Sequence, residues 1–332
     1  MYFSLVVPVY NRPDETRELL ESLAASDYGK PFEVVIVEDG STLRSDEVVA
    51  AFTDRLDIRY FSKENSGPGD SRNFGMEKAR GDYFLIFDSD CLIPSGYLSA
   101  VADALASDYV DCFGGPDAAH ESFTDIQKAI NFTMTSFLTT GGVRGGSEKL
   151  DKFQPRSFNM GLSRRAFEAS GGFGDIHPGE DPDLSIRLWK MGFRTRLVSQ
   201  AFVYHKRRID WRKFYIQVGK FGKVRPILDQ WYPEYAKLTY FFPSAFLLGF
   251  ITAVVLVFFD IPWLLYLYEV YFVLLFLAAA IETRRLTIAF FSLIAVAVQF
   301  YGYGWGFIRS FLAVRVLRRD PRRVFPTLFF TR

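Results

Sequence analysis

The sequence has few cysteines and almost no net charge. Each of these shortages excludes some classes of function. The two cysteines among 332 residues, Cys91 and Cys112, form neither a metal-binding spacing nor a disulfide framework. We expect both to be reduced, as in a cytosolic compartment. A formal net charge of +1 gives no overall reason to expect nucleic-acid binding. The first apolar run is short, ends at Pro8 and has no basic flank, so we expect no signal peptide.

Aromatic residues are abundant, at 17% of the chain with 35 Phe. Three long apolar stretches lie near the end, at residues 240–259, 261–281 and 286 to about 308. Each approaches or exceeds the ~20 residues that cross a bilayer as a helix. A soluble chain of this length has no core large enough to bury three such helices in succession. We therefore predict a membrane region at residues 240–314 with about three hydrophobic segments.

Basic residues before the first apolar stretch predict its orientation. They are Lys206, Arg207, Arg208, Arg212, Lys213, Lys220, Lys223 and Arg225. This excess predicts a cytoplasmic N-terminal domain, which in a bacterium faces the cytoplasm from the inner membrane. The basic tail at residues 315–332 conflicts with three full crossings. Either the third stretch, broken by Gly302, Gly304 and Gly306, does not fully cross, or one stretch lies in the interface.

The segment at residues 206–239 interleaves basic residues with Trp211, Phe214, Tyr215 and Trp231. Side chains of these two kinds favour the membrane–water interface. We predict a helix or helix pair on the cytoplasmic leaflet. The segment lacks the Gln-x-x-Arg-Trp motif of processive synthases, which argues against polymer extrusion.

Residues 1–205 form the predicted catalytic domain, and its first part alternates apolar strands with helical periodicity. The predicted strands are at residues 2–8, 32–38, 58–61, 82–87 and 109–113, and the helices are at residues 14–26, 71–80 and 95–107. This alternation predicts an α/β fold with a mostly parallel sheet flanked by helices. Ligands of such sheets bind at the carboxyl ends of the strands.

Polar and acidic residues follow three of these strands. They are at residues 8–12, 38–41 and 88–90. Asp88 and Asp90 are one residue apart and point to the same side of the backbone. Buried like charges need compensation, and Mg²⁺ or Mn²⁺ carrying phosphate oxygens suits a pair of carboxylates.

Five motifs in this order resemble those of family 2 glycosyltransferases with the GT-A fold. They are SLVVPVYN at residues 4–11, VEDGS at 37–41, GPGDSRN at 67–73, GDYFLIFDSD at 81–90 and, at 171–187, GGF followed by GED and LSIR. The resemblance covers roughly residues 1–205. It implies transfer of a sugar from a nucleotide-sugar donor to an acceptor.

The resemblance assigns donor-binding roles to residues 8–11 and to three side chains beyond them. Pro8 and Asn11 belong to the first motif, and Tyr10 offers a ring for stacking on the base. Asp39 accepts hydrogen bonds from the N–H edge of the base, which suits uracil or thymine. Arg72 is a candidate contact to the nucleotide or its phosphates. An exposed surface charge is the alternative for Arg72.

The metal ligands predicted from the resemblance are Asp90, Asp88 and His205. Asp90 is the foremost candidate, and Asp88 binds either the metal or the ribose. His205 follows an apolar strand, and a structural role is an equal alternative for it. The metal is Mg²⁺ or Mn²⁺, bridging the diphosphate.

Asp181 is the predicted general base, which takes the proton of the acceptor hydroxyl. Glu180 is included with it as catalytic, although Glu180 and Asp183 would also be favoured at a helix N-terminus by the dipole. One base with direct displacement gives inversion at the anomeric carbon, the usual outcome in this family.

The leading hypothesis is a membrane-anchored inverting glycosyltransferase for cell-envelope glycans, with a lipid or lipid-linked glycan acceptor and a donor that is UDP-linked. A polyprenyl-phosphate sugar synthase and a non-catalytic membrane scaffold are the alternatives. A nucleotidyltransferase would need a glycine- and lysine-rich phosphate loop after the first strand, and residues 11–14 are not one. The sugar, the exact acceptor and the oligomeric state stay open.

Overall fold

The computed structural model describes residues 1–118, 120–140, 152–206 and 210–330. Two compact units divide the chain: Met1–His120 with Gly146–Lys206 and Phe329–Arg332, and Glu121–Gly145 with Arg207–Leu328. Residues 121–140, which belong to the predicted catalytic domain, thus cluster with the second unit. Arg207 and Arg208 of the predicted basic segment and Arg332 of the predicted tail lie outside the described residues.

The first unit is the predicted α/β domain. Its strands are β1 (Phe3–Val9), β2 (Phe32–Asp39), β3 (Asp57–Lys63), β4 (Tyr83–Phe87), β5 (Cys91–Leu92), β6 (Cys112–Gly114), β7 (Asp117–Ala118), β8 (Asn159–Ser163), β9 (Thr195–Leu197) and β10 (Val203–His205). Its helices are α1 (Pro13–Ala24), α2 (Asp46–Ala50), α3 (Pro68–Lys78), α4 (Tyr97–Ser107), α7 (Arg164–Ser170) and α8 (Glu180–Lys190).

Seven strands form one mixed sheet in the order β3-β2-β1-β4-β8-β6-β9. Strands β3, β2, β1 and β4 run parallel, with Pro8 opposite Val37 in the register of β1 and β2. Strand β8 is antiparallel to both β4 and β6, and β9 is parallel to β6. The predicted class, a mostly parallel sheet flanked by helices, is confirmed.

Side chains of the central strands alternate between two buried cores. On β1, Leu5 and Val7 pack with α1, α2 and α4 on one face, whereas Val6 packs with α3, α7 and α8 on the other. Both faces are covered, so β1 reads as a continuous apolar run rather than a polar–apolar alternation. This burial fixes the register, because a slip of one residue would exchange the two faces.

A second, three-stranded sheet has the order β5-β10-β7. The pairing of β10 with β5 places His205 opposite Cys91, which is the residue that follows Asp90. The amide of Lys206 also donates to the carbonyl oxygen of Asp90. This small sheet therefore brings the end of β10 to the end of β4.

The second unit is helical. It comprises α5 (Asp125–Thr135), α6 (Phe137–Thr140), α9 (Trp211–Trp231), α10 (Phe242–Val257), α11 (Trp263–Thr283), α12 (Leu286–Ser310) and α13 (Pro321–Val324), with single 3₁₀ turns at Pro233–Tyr235, Leu238–Phe241 and Pro326–Leu328. Helix α12 continues as a π-helix over Phe311–Val316. The predicted basic aromatic segment is one helix, α9, with Pro226 in its interior.

Three helical stretches are long and apolar enough to cross a membrane: Leu238–Val257, Trp263–Thr283 and Leu286–Val316. Large apolar side chains in and next to these stretches are exposed, with Phe258, in the turn after the first stretch, at 83%, Trp263 at 73% and Leu267 at 66%. Exposed apolar surface of this extent marks a protein or membrane contact rather than a water-facing surface. The three stretches support the predicted membrane association.

The glycines of α12 do not break the helix, which corrects the interruption predicted at this stretch. Gly306 lies against the carbonyl oxygen of Gly219 on α9, at 2.4 Å from the position that a Cβ would take. On the other helix, a Cβ at Gly222 would meet the backbone of Tyr303. Small residues at these positions let two helix backbones approach closely, as in membrane helix pairs.

Candidate functional site

The carboxyl ends of β1, β2 and β4 meet at one edge of the parallel sheet, since these strands are hydrogen-bonded neighbours. Tyr10 follows β1 directly and is 53% exposed. Its ring is therefore free to stack on a planar ligand. Asp39 ends β2, and Asp88 follows β4. The structure thus brings the strand-end residues of the predicted donor site to a single edge.

Asp39 is buried and anchors the loop that follows β3. Its Oδ1 accepts hydrogen bonds from Lys63 Nζ at 2.8 Å and from the Ser66 amide at 2.9 Å. Its Oδ2 accepts from the Gly67 amide at 3.0 Å. A carboxylate has about four lone-pair sites, so an acceptor site remains for one further donor. The loop at residues 63–67 fixes the direction of that site.

Asn11 ties the end of β1 to the loop after β2. Its backbone is left-handed, with φ 55°, which Asn tolerates better than most residues. Its Oδ1 accepts from the amides of Thr42 and Leu43, at 2.8 Å and 2.9 Å. Its own amide donates to Ser41 Oγ at 2.7 Å. These contacts orient the backbone beside Tyr10. The side-chain oxygen of Asn11 is bound by amides of the protein itself.

Asp90 and His205, two of the three predicted metal ligands, lie together beside Cys91. The oxygen–nitrogen distance between Asp90 Oδ1 and His205 Nε2 is 3.2 Å. The ligand atoms of Asp90, Cys91 and His205 all lie within 4.8 Å of one another. Two ligands about 2.1 Å from one ion and at right angles to each other are about 3 Å apart, so the carboxylate and the imidazole fit a shared divalent cation. Among the described residues this cluster does not include Asp88.

His205 is held in place by packing. The ring of Phe158 stacks on it with centroids 4.4 Å apart, and His205 Nδ1 is buried with no hydrogen-bond partner among the described residues. Arg12 Nη1 lies 3.7 Å from the second carboxylate oxygen of Asp90. The residues present therefore fit a divalent metal ion with mixed oxygen and nitrogen ligands.

Arg72 is buried between Asp88 and Glu180 and is not an exposed surface charge. These three residues are here named the charge chain. Arg72 is 2% exposed, and its Nη2 donates to Asp88 Oδ1 at 2.6 Å while its Nη1 donates to Glu180 Oε1 at 3.0 Å. Burial alone would lower the pKa of Arg72, but the two carboxylates outweigh it and raise that pKa. Arg72 thus links Asp88 at the end of β4 to the first turn of α8.

Glu180 is equally buried and stays ionised. His177 Nδ1 lies 3.0 Å from the same Glu180 Oε1 that Arg72 contacts. Burial would raise the pKa of Glu180, whereas His177 and Arg72 lower it, to about 2 overall. With a side chain 4% exposed, Glu180 lies inside the charge chain.

Replacing Arg72 with Met is expected to destabilise the protein by about 3–5 kcal/mol, because Glu180 would then be buried without its arginine. Thermal unfolding of the purified full chain in detergent checks this, with a midpoint lowered by at least about 6 °C. The double variant Arg72→Met/Glu180→Gln removes both charges and is expected to recover part of the loss. No recovery in the double variant would argue against the charge chain.

The three carboxylates at the start of α8 have different surroundings. Asp183 Oδ2 accepts from Arg187 Nε and Nη2, at 3.0 Å and 2.8 Å, within the same helix. Glu180 turns inward to Arg72. The side chain of Asp181 is 15% exposed, with Arg156 Nη1 at 3.5 Å from its Oδ2. Of the two predicted catalytic residues, Asp181 is therefore the more accessible carboxylate.

Several residues of this site were not assigned a role from the sequence. Lys63 belongs to β3 and contacts Asp39 at the end of β2. Arg12 lies in a loop and contacts Asp90, which follows β4. Cys91 reads as a small apolar filler but lies next to the metal pair. His177 stands three residues before Glu180, and this spacing is the one clue to their contact.

The profile described as glycosyl transferase family 2 matches residues 4–171, which is half of the chain. Over 93 residues the chain is 40% identical to the poly(ribitol-phosphate) beta-N-acetylglucosaminyltransferase TarS of Staphylococcus aureus, covering 27% of this chain and 16% of TarS. Over 269 residues it is 24% identical to the probable glycosyltransferase YdaM of Bacillus subtilis, covering 72% of this chain and 63% of YdaM. The matches thus span less than two thirds of either relative.

Solved structures share the fold. The mannosyltransferase PcManGT of Pyrobaculum calidifontis, in complex with GDP-Man and Mn²⁺, superposes with a TM-score of 0.61 at 18% identity, covering 90% of this chain and 86% of that one. Residues 1–349 of Staphylococcus aureus TarS, in complex with UDP-GlcNAc, give 0.51 at 18% identity, covering 96% and 93%. The predicted GT-A-like fold is confirmed. Since the family profile covers half of its length, this chain belongs to glycosyl transferase family 2.

Proposed function

We propose that this protein is a membrane-anchored inverting glycosyltransferase. It moves a sugar from a UDP-linked donor to a hydroxyl group of a lipid or lipid-linked glycan. The single observation that carries the proposal is the Asp90–His205 pair, with its oxygen–nitrogen distance of 3.2 Å, at the strand edge that also bears Asp39. A divalent-metal site beside a base-binding carboxylate is the arrangement that a nucleoside diphosphate requires.

The nucleotide end of the donor binds between Tyr10 and Asp39. The exposed Tyr10 ring stacks on the base, and the remaining acceptor site of Asp39 takes its N–H. Uracil offers one such N–H between two carbonyl groups. The UDP-GlcNAc in the TarS complex supports this choice, whereas the GDP-Man of PcManGT shows that the fold also accepts guanine. Pro8 and Asn11 shape this pocket through the backbone.

Asp90 and His205 would hold Mg²⁺ or Mn²⁺, which would neutralise the charge of the departing diphosphate. Asp88 receives the ribose or completes the metal site, and the hydrogen bond from Arg72 holds its carboxylate in place. Arg72 acts through Asp88 and Glu180 rather than on the phosphates, because it is 2% exposed and its terminal nitrogens lie against these two carboxylates.

Asp181 is the general base. It takes the proton of the acceptor hydroxyl while the oxygen forms a bond to the anomeric carbon and the bond from that carbon to the diphosphate breaks. The nucleoside diphosphate leaves from the opposite face, so the configuration inverts. Glu180 holds the first turn of α8 in place through its contacts with Arg72 and His177. Asp181 is the carboxylate that reaches the acceptor.

The acceptor is a lipid or a lipid-linked glycan at the cytoplasmic face of a membrane. The three long apolar helices and the basic, aromatic helix α9 support this, because such features keep a protein at an anionic membrane surface. The net charge of +1 gives no reason to add nucleic acid as a partner.

A release assay on the full chain in lipid nanodiscs tests the proposal. Nucleoside diphosphate is measured across a panel of nucleotide sugars, with Mn²⁺, with Mg²⁺ and with a chelator, and with lipid-linked against soluble acceptors. We expect release from a UDP-sugar that stops with the chelator and is faster with the lipid-linked acceptor. Preference for soluble acceptors would contradict the acceptor proposal, and absence of metal-dependent UDP binding would favour a non-catalytic scaffold.

A further inference from the structure

An aromatic segment from the far end of the sequence packs into the first unit. Phe329 and Phe330, here named the aromatic strap, belong to that unit, although they follow the helices of the second one in the chain. Phe329 pairs with Ile176 in an antiparallel bridge, and the Phe330 amide donates to the carbonyl oxygen of Asp175 at 3.0 Å. The strap is therefore fixed by its main chain to the loop that precedes α8.

The Phe330 ring reaches a second loop, the one that holds Asp39. It covers Gly67, where a Cβ would lie 2.4 Å from the ring. Gly67 also has φ 92°, a conformation that disfavours any side chain. The ring centroid lies 6.0 Å from that of His177. One half-buried phenylalanine thus touches both the loop after β3 and the loop before α8.

Each of these loops carries a part of the proposed site. The amides of Ser66 and Gly67 orient the Asp39 carboxylate. His177 contacts Glu180, whose partner Arg72 holds Asp88. A small cavity of about 10 Å³, lined by both loops and by Phe330, lies at this junction. It has room for no more than about one water, so the loops and the strap pack closely.

We infer that Phe330 is a positioning residue of the nucleotide-sugar site, because its ring and main chain hold the Asp39-binding loop against the loop that precedes the general base. This inference rests on the proposed function for the identity of the ligand. The strap pre-orders both loops before the donor arrives. Without it, their ordering would have to be supplied by the binding energy of the nucleotide.

The test uses the full chain with Phe330→Ala, Phe330→Leu and the control Phe258→Ala. Phe258 is 83% exposed in the turn between α10 and α11 and lies in the second unit, away from the residues of the site. Phe330→Ala is expected to raise the Kd of UDP in the presence of Mn²⁺ by about tenfold and to raise the donor KM more than it lowers kcat. Phe330→Leu, which keeps apolar bulk on Gly67, is expected to recover most of the affinity.

Hydrogen–deuterium exchange supplies the readout that a general structural role would not give. In Phe330→Ala, peptides at residues 64–70 and 173–180 are expected to exchange faster together, while the β1 and β2 peptides keep their rates. Faster exchange throughout the unit, or unchanged exchange with unchanged UDP affinity, would overturn the inference. If the unaltered protein binds no UDP, the proposed function fails, and the paired exchange of the two loops still decides whether the strap positions them.

Discussion

Asp181→Asn is expected to lower kcat for sugar transfer to a hydroxyl acceptor by about 10²–10⁴-fold, the contribution typical of a positioned general base. The amide has nearly the shape of the carboxylate but cannot take the acceptor proton. Because the contact with Arg156 is long, at 3.5 Å, and partly exposed, folding should be little affected. Steady-state release of nucleoside diphosphate, with the donor KM measured alongside, checks this result.

Asp54→Asn is the matched control, since Asp54 is an exposed carboxylate in the turn after α2. It is expected to keep full activity. Near-complete activity of Asp181→Asn would contradict the hydroxyl acceptor. It would favour a polyprenyl-phosphate sugar synthase, since a phosphate nucleophile is already ionised and needs little help from a base. The same variant therefore separates the two acceptor classes.

Asp90→Ala is expected to lower the Mn²⁺-dependent affinity for UDP by more than about 100-fold. Loss of a metal ligand is expected to cost at least as much affinity as loss of a residue that hydrogen-bonds to a metal ligand. His205→Ala should reduce the same affinity in the same direction, since the two side chains share one ion in the proposed site. Calorimetric titration of the full chain with UDP, in Mn²⁺ and after chelation, measures both losses.

Asp103→Ala removes an exposed carboxylate of α4 and is the control for charge. Its metal-dependent affinity should match that of the unaltered protein. A His205→Ala variant with unchanged affinity would limit His205 to a structural role and leave the metal to the aspartates. Affinity that does not respond to chelation in the unaltered protein would remove the metal from the proposal altogether.

Most of the fold in the first part of the chain could be predicted because its signals are local. The strands predicted at residues 2–8 and 32–38 lie within a residue of β1 and β2, since buried strands of a parallel sheet appear as continuous apolar runs. Strand β8 was not predicted. It has five residues and contains Gly161, so it lacks a pattern that separates it from a loop. Its antiparallel position between β4 and β6 depends on distant partners.

The site was predictable in its residue types but not in its contacts. The acidic strand ends and the three carboxylates in the first turn of α8 were visible in the sequence. The arginine at residue 72 was as compatible with an exposed charge as with a ligand contact. Only the packing of α3 against the sheet buries it between Asp88 and Glu180. That burial also separates the roles of Glu180 and Asp181, which are adjacent and chemically alike.

The sequence by itself determined the family, the α/β class and the three apolar stretches, because motifs, periodicity and segment length are properties of neighbouring residues. The tertiary structure alone decided which distant groups meet. The pairing of β10 with β5 sets His205 beside Asp90, and the aromatic strap joins the loops at Gly67 and His177. Such contacts arise from strand pairing and side-chain packing between segments far apart in the chain, and no local pattern encodes them.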